Sequence, residues 1–97
     1  MKARVLRREK NELEFELEGE DHTFCNPLVK TLLTIEGVDF GAYHISHPLV
    51  RIPRIYVRTR GELTPEEALI KAADKMISIL NEIKEKFNEE ISKLKSK

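Results

Sequence analysis

The chain has 97 residues, and its 17 lysines and arginines balance its 17 aspartates and glutamates, so the formal net charge at pH 7 is zero. This length predicts a single domain over residues 1–97, since domains usually contain about 50–250 residues. The balanced charge excludes the strongly basic class of nucleic-acid-binding and membrane-surface domains. The single cysteine excludes an internal disulfide and fits a reducing compartment.

Nothing in the sequence indicates export or membrane insertion. No apolar run approaches the length of about 20 residues that a membrane-spanning helix needs. The first ten residues, MKARVLRREK, lack the apolar core of a secretory signal peptide. We therefore expect a cytoplasmic protein.

The first predicted elements are two strands joined in a hairpin. Residues 3–8 have the length of a short strand, and in residues 12–18 glutamates alternate with Leu13, Phe15 and Leu17. This period of two predicts a half-buried second strand with an acidic outer face. Depending on the register, the arginines at positions 4, 7 or 8 lie opposite that acidic face, where pairs of opposite charge are stabilising.

The remaining elements complete an α+β domain. Asn26 as N-cap, with Pro27 at the first helical position, satisfies the local rules for a helix start, and Gly37 is predicted to end that helix. Residues 38–45 and 54–60 are predicted as the third and fourth strands. The segment TPEE at residues 64–67 is typical of a capping box, and no helix breaker follows it. The order β-β-α-β-β-α predicts a four-stranded, mainly antiparallel sheet with two helices, the C-terminal one long.

Both helices carry more apolar surface than one sheet can cover. Apolar side chains span roughly 180° of helix 1, whereas packing on one sheet needs a stripe of about 100°. Helix 2, predicted over residues 65–95, would be about 46 Å long and would extend beyond its own domain. Its last apolar residues form a narrow seam that suits packing against one further helix. We therefore predict a protein partner, with an interface formed by Phe24, Leu28, Leu32, Ile35, Met76, Leu80, Ile83, Phe87 and Ile91.

No catalytic, cofactor or metal site is predicted. The histidines lack the ligand spacing of zinc sites, and neither a Gly-rich phosphate loop nor a nucleophile elbow occurs in the sequence. We expect His22 to orient the entry to helix 1 by hydrogen bonding. We expect Cys25 to pack as a small apolar residue, with a thiolate activated by the helix N-terminus as the alternative.

An alternative function is binding of single-stranded nucleic acid by a homodimer. The strongest basic cluster lies on the fourth strand, where Arg51, Arg54, Arg58 and Arg60 accompany Tyr56. A sheet face with basic and aromatic residues binds single strands in several folds. Such modules use more than one aromatic residue, however, so pairing of the Arg51–Arg60 strand with the hairpin glutamates is the simpler expectation.

The segments DHTFCNPLVK at residues 21–30 and YHISHPL at residues 43–49 resemble the small alpha-like subunit of RNA polymerases. This family comprises subunit L in archaea and the eleventh subunit of eukaryotic RNA polymerase II. The resemblance implies a helix start near Thr23, with Pro27 in the first turn. The positions that match are Asp21, His22, Thr23, Asn26, Leu28, Lys30, Tyr43, His47, Pro48 and Leu49.

The resemblance also implies a function in transcription. A member of this family is a non-catalytic part of DNA-directed RNA polymerase, the nucleotidyltransferase complex. It forms a heterodimer with the larger alpha-like polypeptide of the enzyme, the D subunit. This heterodimer is the assembly platform, which subunits N and P join first and the large subunits join afterwards. The apolar surface alone would equally allow a homodimer. The resemblance favours the heterodimer and implies no direct contact with nucleic acid.

Overall fold

The computed structural model describes residues 1–45 and 51–95. Within them the elements follow in the order β1 (Lys2–Glu9), β2 (Glu12–Glu18), α1 (His22–Leu32), β3 (Val38–His44), β4 (Arg54–Thr59) and α2 (Pro65–Lys95). The strands form one antiparallel sheet in the order β1-β2-β4-β3. The predicted α+β architecture is therefore confirmed, with β4 inserted between the hairpin and β3.

The hydrophobic core lies between one face of the sheet and the two helices. Alternate residues of β2 and β4 point into it, and Ile55 and Val57 are fully buried. Burial of each such side chain contributes about 1.5–3 kcal/mol. The fully buried core residues of helix α2 are the small Ala68 and Ala72, so its first turns lie close to the sheet, and Leu69 and Met76 pack against the core while partly exposed. The core residues are Leu13, Phe15, Leu17, Cys25, Leu28, Leu32, Ile55, Val57, Ala68 and Ala72.

The hairpin register decides which arginines face the glutamates. A two-residue turn joins β1 to β2, and a bulge before Arg7 shifts the pairing. On the outer face Arg4 lies 4.0 Å from Glu16, and Arg7 lies 3.7 Å from Glu12. Arg8 is instead paired with a glutamate of α2. The acidic face is thus paired with Arg4 and Arg7, two of the three candidates.

Helix α1 begins earlier than the local rules predicted, since those rules placed its N-cap at Asn26. Asp21 is the N-cap, and its Oδ1 accepts a hydrogen bond from the Thr23 backbone N–H at 2.9 Å. The predicted Asn26 start is therefore wrong, and the family-based start near Thr23 is close to the observed one at His22. Pro27 lies in the second turn and not in the first. Since proline has no N–H, it removes one backbone hydrogen bond there, which the cap and the buried apolar residues of α1 offset.

Helix α1 ends at Leu32, so the prediction that Gly37 ends it is wrong. Leu33 is the C-cap, and its N–H donates to the Val29 carbonyl at 3.1 Å. Gly37 lies in the turn that leads into β3, with φ of +97°, a conformation that favours glycine. A Cβ at this position would lie 2.8 Å from Cδ2 of Leu63, so glycine also permits that close contact.

The predicted capping box at the start of α2 is confirmed. Thr64 Oγ1 accepts from the Glu67 N–H at 3.2 Å, and Glu67 Oε1 accepts from the Thr64 N–H at 3.3 Å. Pro65 occupies the first helical position and is buried. Two backbone donors that the helix itself leaves unpaired are thereby satisfied.

Removal of this cap should destabilise the domain. We expect Thr64→Ala to lower the free energy of unfolding by about 0.5–2 kcal/mol, because the N–H of Glu67 loses its acceptor. Urea unfolding followed by circular dichroism measures the change. Thr64→Ser keeps the hydroxyl and should retain most of the stability. Equal losses in both variants would contradict the capping explanation.

Candidate partner interface

Helix α2 leaves the domain after its first turns. Of its 31 residues only Pro65, Ala68 and Ala72 are buried, and every residue from 77 to 95 is exposed. The molecule is 57 Å long with a radius of gyration of 16.7 Å, whereas a compact domain of this size would have about 13 Å. Residues 77–95, about 28 Å of helix, therefore project from the domain as predicted. Neither described helix combines the length and hydropathy of a membrane span.

An apolar seam runs along the exposed side of α2. Its members recur every three or four residues, a spacing that keeps them on one side of the helix and fits packing against a second helix. Phe87 is 65% exposed and Leu80 is 62% exposed. A continuous apolar surface of this kind marks an interaction site. This α2 seam consists of Ile70, Ala73, Ile77, Leu80, Ile83, Phe87, Ile91 and Leu94.

Two shallow grooves accompany the α2 seam. The first, of about 280 Å³, lies where α2 meets α1. The second, of about 300 Å³, lies near the end of α2, where Lys86 and Glu90 flank three seam residues. Grooves of this shape accept side chains of a facing helix. The first groove is lined by Phe24, Leu28, Ala73, Met76, Ile77 and Leu80.

The structure divides the predicted interface residues between surface and core. Those predicted on the last turns of α2 are exposed, and Phe24 and Met76 are half-buried at the first groove. Leu28 is only 5% exposed, and Leu32 is fully buried in the core of its own chain. Leu32 therefore has no side-chain surface for a partner, and the prediction that it lies in the interface is wrong. Ile35 lies beyond the end of α1 and is partly buried.

Four seam residues were absent from the predicted interface: Leu94 at the distal end of α2, and three residues closer to the domain. Ile70, Ala73 and Ile77 are exposed on the proximal part of α2. In the sequence they belong to a broad apolar arc, and the pattern does not show which part of that arc the sheet covers. Their spacing of three and four residues, continued through Leu80, places them on one side of α2, but the buried Ala68 and Ala72 have the same kind of spacing, so only the structure separates the two sets.

Two residues of the family motif connect the start of α1 to strand β3. Nδ1 of His22 lies 2.7 Å from the hydroxyl of Tyr43, and the two rings meet edge to face with centroids 5.4 Å apart. This contact confirms that His22 orients the entry to α1 by hydrogen bonding. Thr23, Asn26 and Lys30 are exposed on the same helix. His47, Pro48 and Leu49 lie outside the described residues.

Cys25 packs as a small apolar residue. The side chain is fully buried in the core. Burial raises the pKa of its thiol, and the charges of Glu20 and Asp21 raise it further. A thiol in this environment stays protonated at neutral pH, so the alternative of an activated thiolate loses its basis. Within residues 1–45 and 51–95, no group of three or more His, Cys, Asp or Glu side chains is placed to hold a metal ion.

The arginines of β4 lie on a charge-paired sheet face. Arg54 lies 3.5 Å from Glu14, and across the sheet the hydroxyl of Tyr56 donates to the carboxylate of Glu12. Beyond the end of β4, Arg60 also has an acidic partner, at 2.7 Å. Pairing with the hairpin glutamates was the simpler expectation for these arginines, and it is confirmed for Arg54, whereas Arg58 lies over the ring of Phe40, 5.9 Å from its centroid. The acidic side chains beside Arg54 and Arg60 weaken the electrostatic attraction that nucleic-acid binding requires.

The bond between Tyr56 and Glu12 should make stability depend on pH. It lowers the pKa of Glu12 and raises the pKa of Tyr56, as its main cause in both cases. Its stabilisation is therefore present from about pH 4.3 to about pH 10, between the ordinary pKa values of the two groups. It is lost as pH falls through the lowered pKa of Glu12, or rises through the raised pKa of Tyr56.

We accordingly expect Tyr56→Phe to lower stability slightly at neutral pH and to have a smaller effect in strong acid, where the bond to Glu12 is no longer charge-assisted. Urea unfolding of wild type and variant between pH 2 and pH 8 measures the difference. The difference should shrink as the pH falls below about 4.3. A difference that stays constant over this range would assign the effect to lost packing and not to the hydrogen bond.

The domain and its exposed helical surface together define a class of protein. The profile of the RNA polymerase Rpb3/Rpb11 dimerisation domain matches residues 12–86, from the start of β2 to the distal part of α2. The chain therefore belongs to this family of dimerisation domains.

More particularly, the chain is similar to one kind of archaeal polymerase subunit. It is 50% identical to DNA-directed RNA polymerase subunit Rpo11 of Pyrococcus furiosus, over 94% of this chain and 98% of that one. Rpo11 of Thermococcus kodakarensis is 51% identical over 88% of this chain and 93% of its own length. The crystal structure of DNA-directed RNA polymerase subunit L from Thermoplasma acidophilum has a TM-score of 0.86 and 30% identity, covering 99% of this chain and 94% of that chain. The predicted resemblance to subunit L is thereby confirmed.

Proposed function

We propose that this chain is a non-catalytic assembly subunit of RNA polymerase that forms a heterodimer with the larger alpha-like polypeptide, the D subunit. The observation that carries this proposal is the α2 seam, which is exposed over residues 70–94. A seam with spacings of three and four suits a partner helix that crosses α2 at about 20°. Membership of a dimerisation-domain family supports a protein partner for it.

The interface would combine the α2 seam with the groove between the helices. Its proposed contacts are Phe24, Leu28, Ile35, Met76, Leu80, Ile83, Phe87 and Ile91. The exposed members offer the largest gain, because burial of a side chain such as Phe87 or Leu80 contributes about 1.5–3 kcal/mol. The whole of residues 1–97 would act as one dimerisation domain.

The heterodimer would then serve as a platform for the other subunits. We propose that subunits N and P join it, followed by the large subunits, and that this takes place in the cytoplasm. The acidic partners of Arg54 and Arg60 support a role without direct contact with nucleic acid. The relatives named as polymerase subunits support a place in that complex.

Size-exclusion chromatography with light scattering tests the proposal. The chain is measured alone, with the purified D subunit, and with a nucleic-acid single strand at physiological salt. The D subunit should form a stoichiometric complex with the chain, whereas the single strand should form none. At micromolar concentration, failure to bind the D subunit would contradict the proposal. A salt-sensitive complex with the single strand would favour the alternative function.

A further inference from the structure

The direction of α2 depends on a small region at its base. Only Pro65, Ala68 and Ala72 of this helix are buried, whereas residues 77–95 lie beyond the domain. The projecting part is about 28 Å long, so a tilt of about 10° at the base would move its end by about 5 Å. The distal half of the α2 seam is therefore placed by contacts that lie far from it.

Asn11 holds the segment that leads into α2. It lies in the turn between β1 and β2, and its side-chain Nδ2 is 3.1 Å from Thr59 Oγ1, 3.2 Å from the Gly61 carbonyl and 3.2 Å from the Leu63 carbonyl. Two amide hydrogens are shared among these acceptors. The backbone carbonyl of Asn11 also accepts from the Thr59 N–H at 2.8 Å.

Thr59 completes this cluster. Its side chain is 3% exposed, and its Oγ1 donates to the Leu63 carbonyl at 2.6 Å while accepting from Asn11. A buried hydroxyl that both donates and accepts fixes the geometry of its neighbours. The hairpin turn, the end of β4 and the connection to α2 are thus joined by one hydrogen-bonded network, which we call the Asn11 clamp: Asn11, Thr59, Gly61 and Leu63.

Other contacts hold α2 from its sides. Arg8 on β1 forms an ion pair with Glu66 at 2.5 Å, and Lys75 donates to Thr34 Oγ1 at 2.7 Å. These side chains are exposed, and exposed ion pairs are screened and worth little. The Asn11 clamp differs from them because it holds the backbone of the connection itself.

We propose that Asn11 is a positioning residue that sets the direction of α2 and hence the placement of the α2 seam against a partner. Loss of its amide donors frees the carbonyls of Gly61 and Leu63 to turn towards water, and the connection then no longer has one conformation. The effect on partner binding rests on the proposed function, whereas the effect on the direction of α2 does not.

Distance measurements between two spin labels test the direction of α2 in the full chain. Labels attached through Glu18→Cys at the end of β2 and Glu85→Cys on α2 are exposed and lie away from the α2 seam. The native Cys25 is fully buried and does not compete for the label. We expect Asn11→Ala and Asn11→Asp to double the width of the distance distribution or to shift its mean by about 5 Å.

A matched control variant distinguishes a change in the direction of α2 from a general loss of stability of the domain. Val29→Ala removes a buried side chain from α1 without touching the Asn11 clamp, and it should keep the wild-type distance distribution. All variants are compared at a temperature where circular dichroism shows them folded. If Asn11→Ala does not fold, Asn11→Asp decides the test, and Thr59→Val, which keeps the side-chain shape and removes the Oγ1 that accepts from Asn11 and donates to Leu63, should change the distances in the same direction but less.

Affinity for the D subunit is measured on the same variants. We expect Asn11→Ala to weaken binding about tenfold and Val29→Ala to leave it unchanged. Unchanged distances in both Asn11 variants would overturn the proposal, and so would altered distances with native affinity. If the wild-type chain does not bind the D subunit, the proposed function fails, and the distances alone then decide whether Asn11 sets the direction of α2.

Discussion

Replacing Phe87 by glutamate should abolish heterodimer formation while the isolated chain stays folded. Phe87 is 65% exposed on the projecting part of α2, so the unbound chain loses no packing there. In the proposed complex the new carboxylate would be buried without a partner, which costs about 3–5 kcal/mol. Affinity for the D subunit should therefore fall at least about 100-fold, as measured by isothermal titration calorimetry.

A matched control is available on the same helix. Ser92→Glu introduces the same charge one turn further along, on the side of α2 away from the seam. It should bind the D subunit with wild-type affinity. Leu32→Glu is unsuitable as a test, because Leu32 is buried in its own core and the variant would unfold. Wild-type affinity in Phe87→Glu would show that the partner binds elsewhere on the chain.

Local sequence rules predicted the elements whose formation depends on local contacts. The alternation in β2 and the capping box at Thr64 depend on residues within a few positions of each other, and both predictions are confirmed. The start of α1 could not be predicted in this way, because local rules favoured an N-cap at Asn26 whereas the family resemblance implied a start near Thr23. The observed start satisfies a contact between His22 and Tyr43, which are 21 positions apart. No rule confined to a few neighbouring residues includes that contact.

The periodicity of the sequence predicted that apolar residues line the helices, but it did not predict which of them are exposed to a partner. Spacing along α2 indicated too much apolar surface, and the exposed seam confirms the excess. Periodicity does not distinguish Leu32 from Leu80, although the first is fully buried and the second 62% exposed. Only the position of each helix on the sheet decides that difference. Asn11 gave no signal either, since asparagine is common in turns and its acceptors lie 48 to 52 positions away.

Pairing with the D subunit should order the projecting part of α2. Residues 77–95 have no buried side chain in the isolated chain. A helix of so few turns is only marginally stable in water without tertiary packing. We therefore expect its amide hydrogens from about Ile83 onwards to exchange rapidly in the isolated chain. The first turns, where Ala68 and Ala72 pack on the sheet, should be protected.

Hydrogen exchange followed by mass spectrometry, with and without the D subunit, measures this ordering. In the complex, protection should extend from Ile83 to Ile91, because burial of side chains such as Phe87 then stabilises the helix by about 1.5–3 kcal/mol each. Residues 93–97 should exchange freely in both states, since Leu94 is their only apolar side chain. Phe87→Glu should lose the added protection together with binding. Strong protection through Ile91 in a demonstrated monomer would contradict the prediction, because it would mean that α2 is stable without a partner.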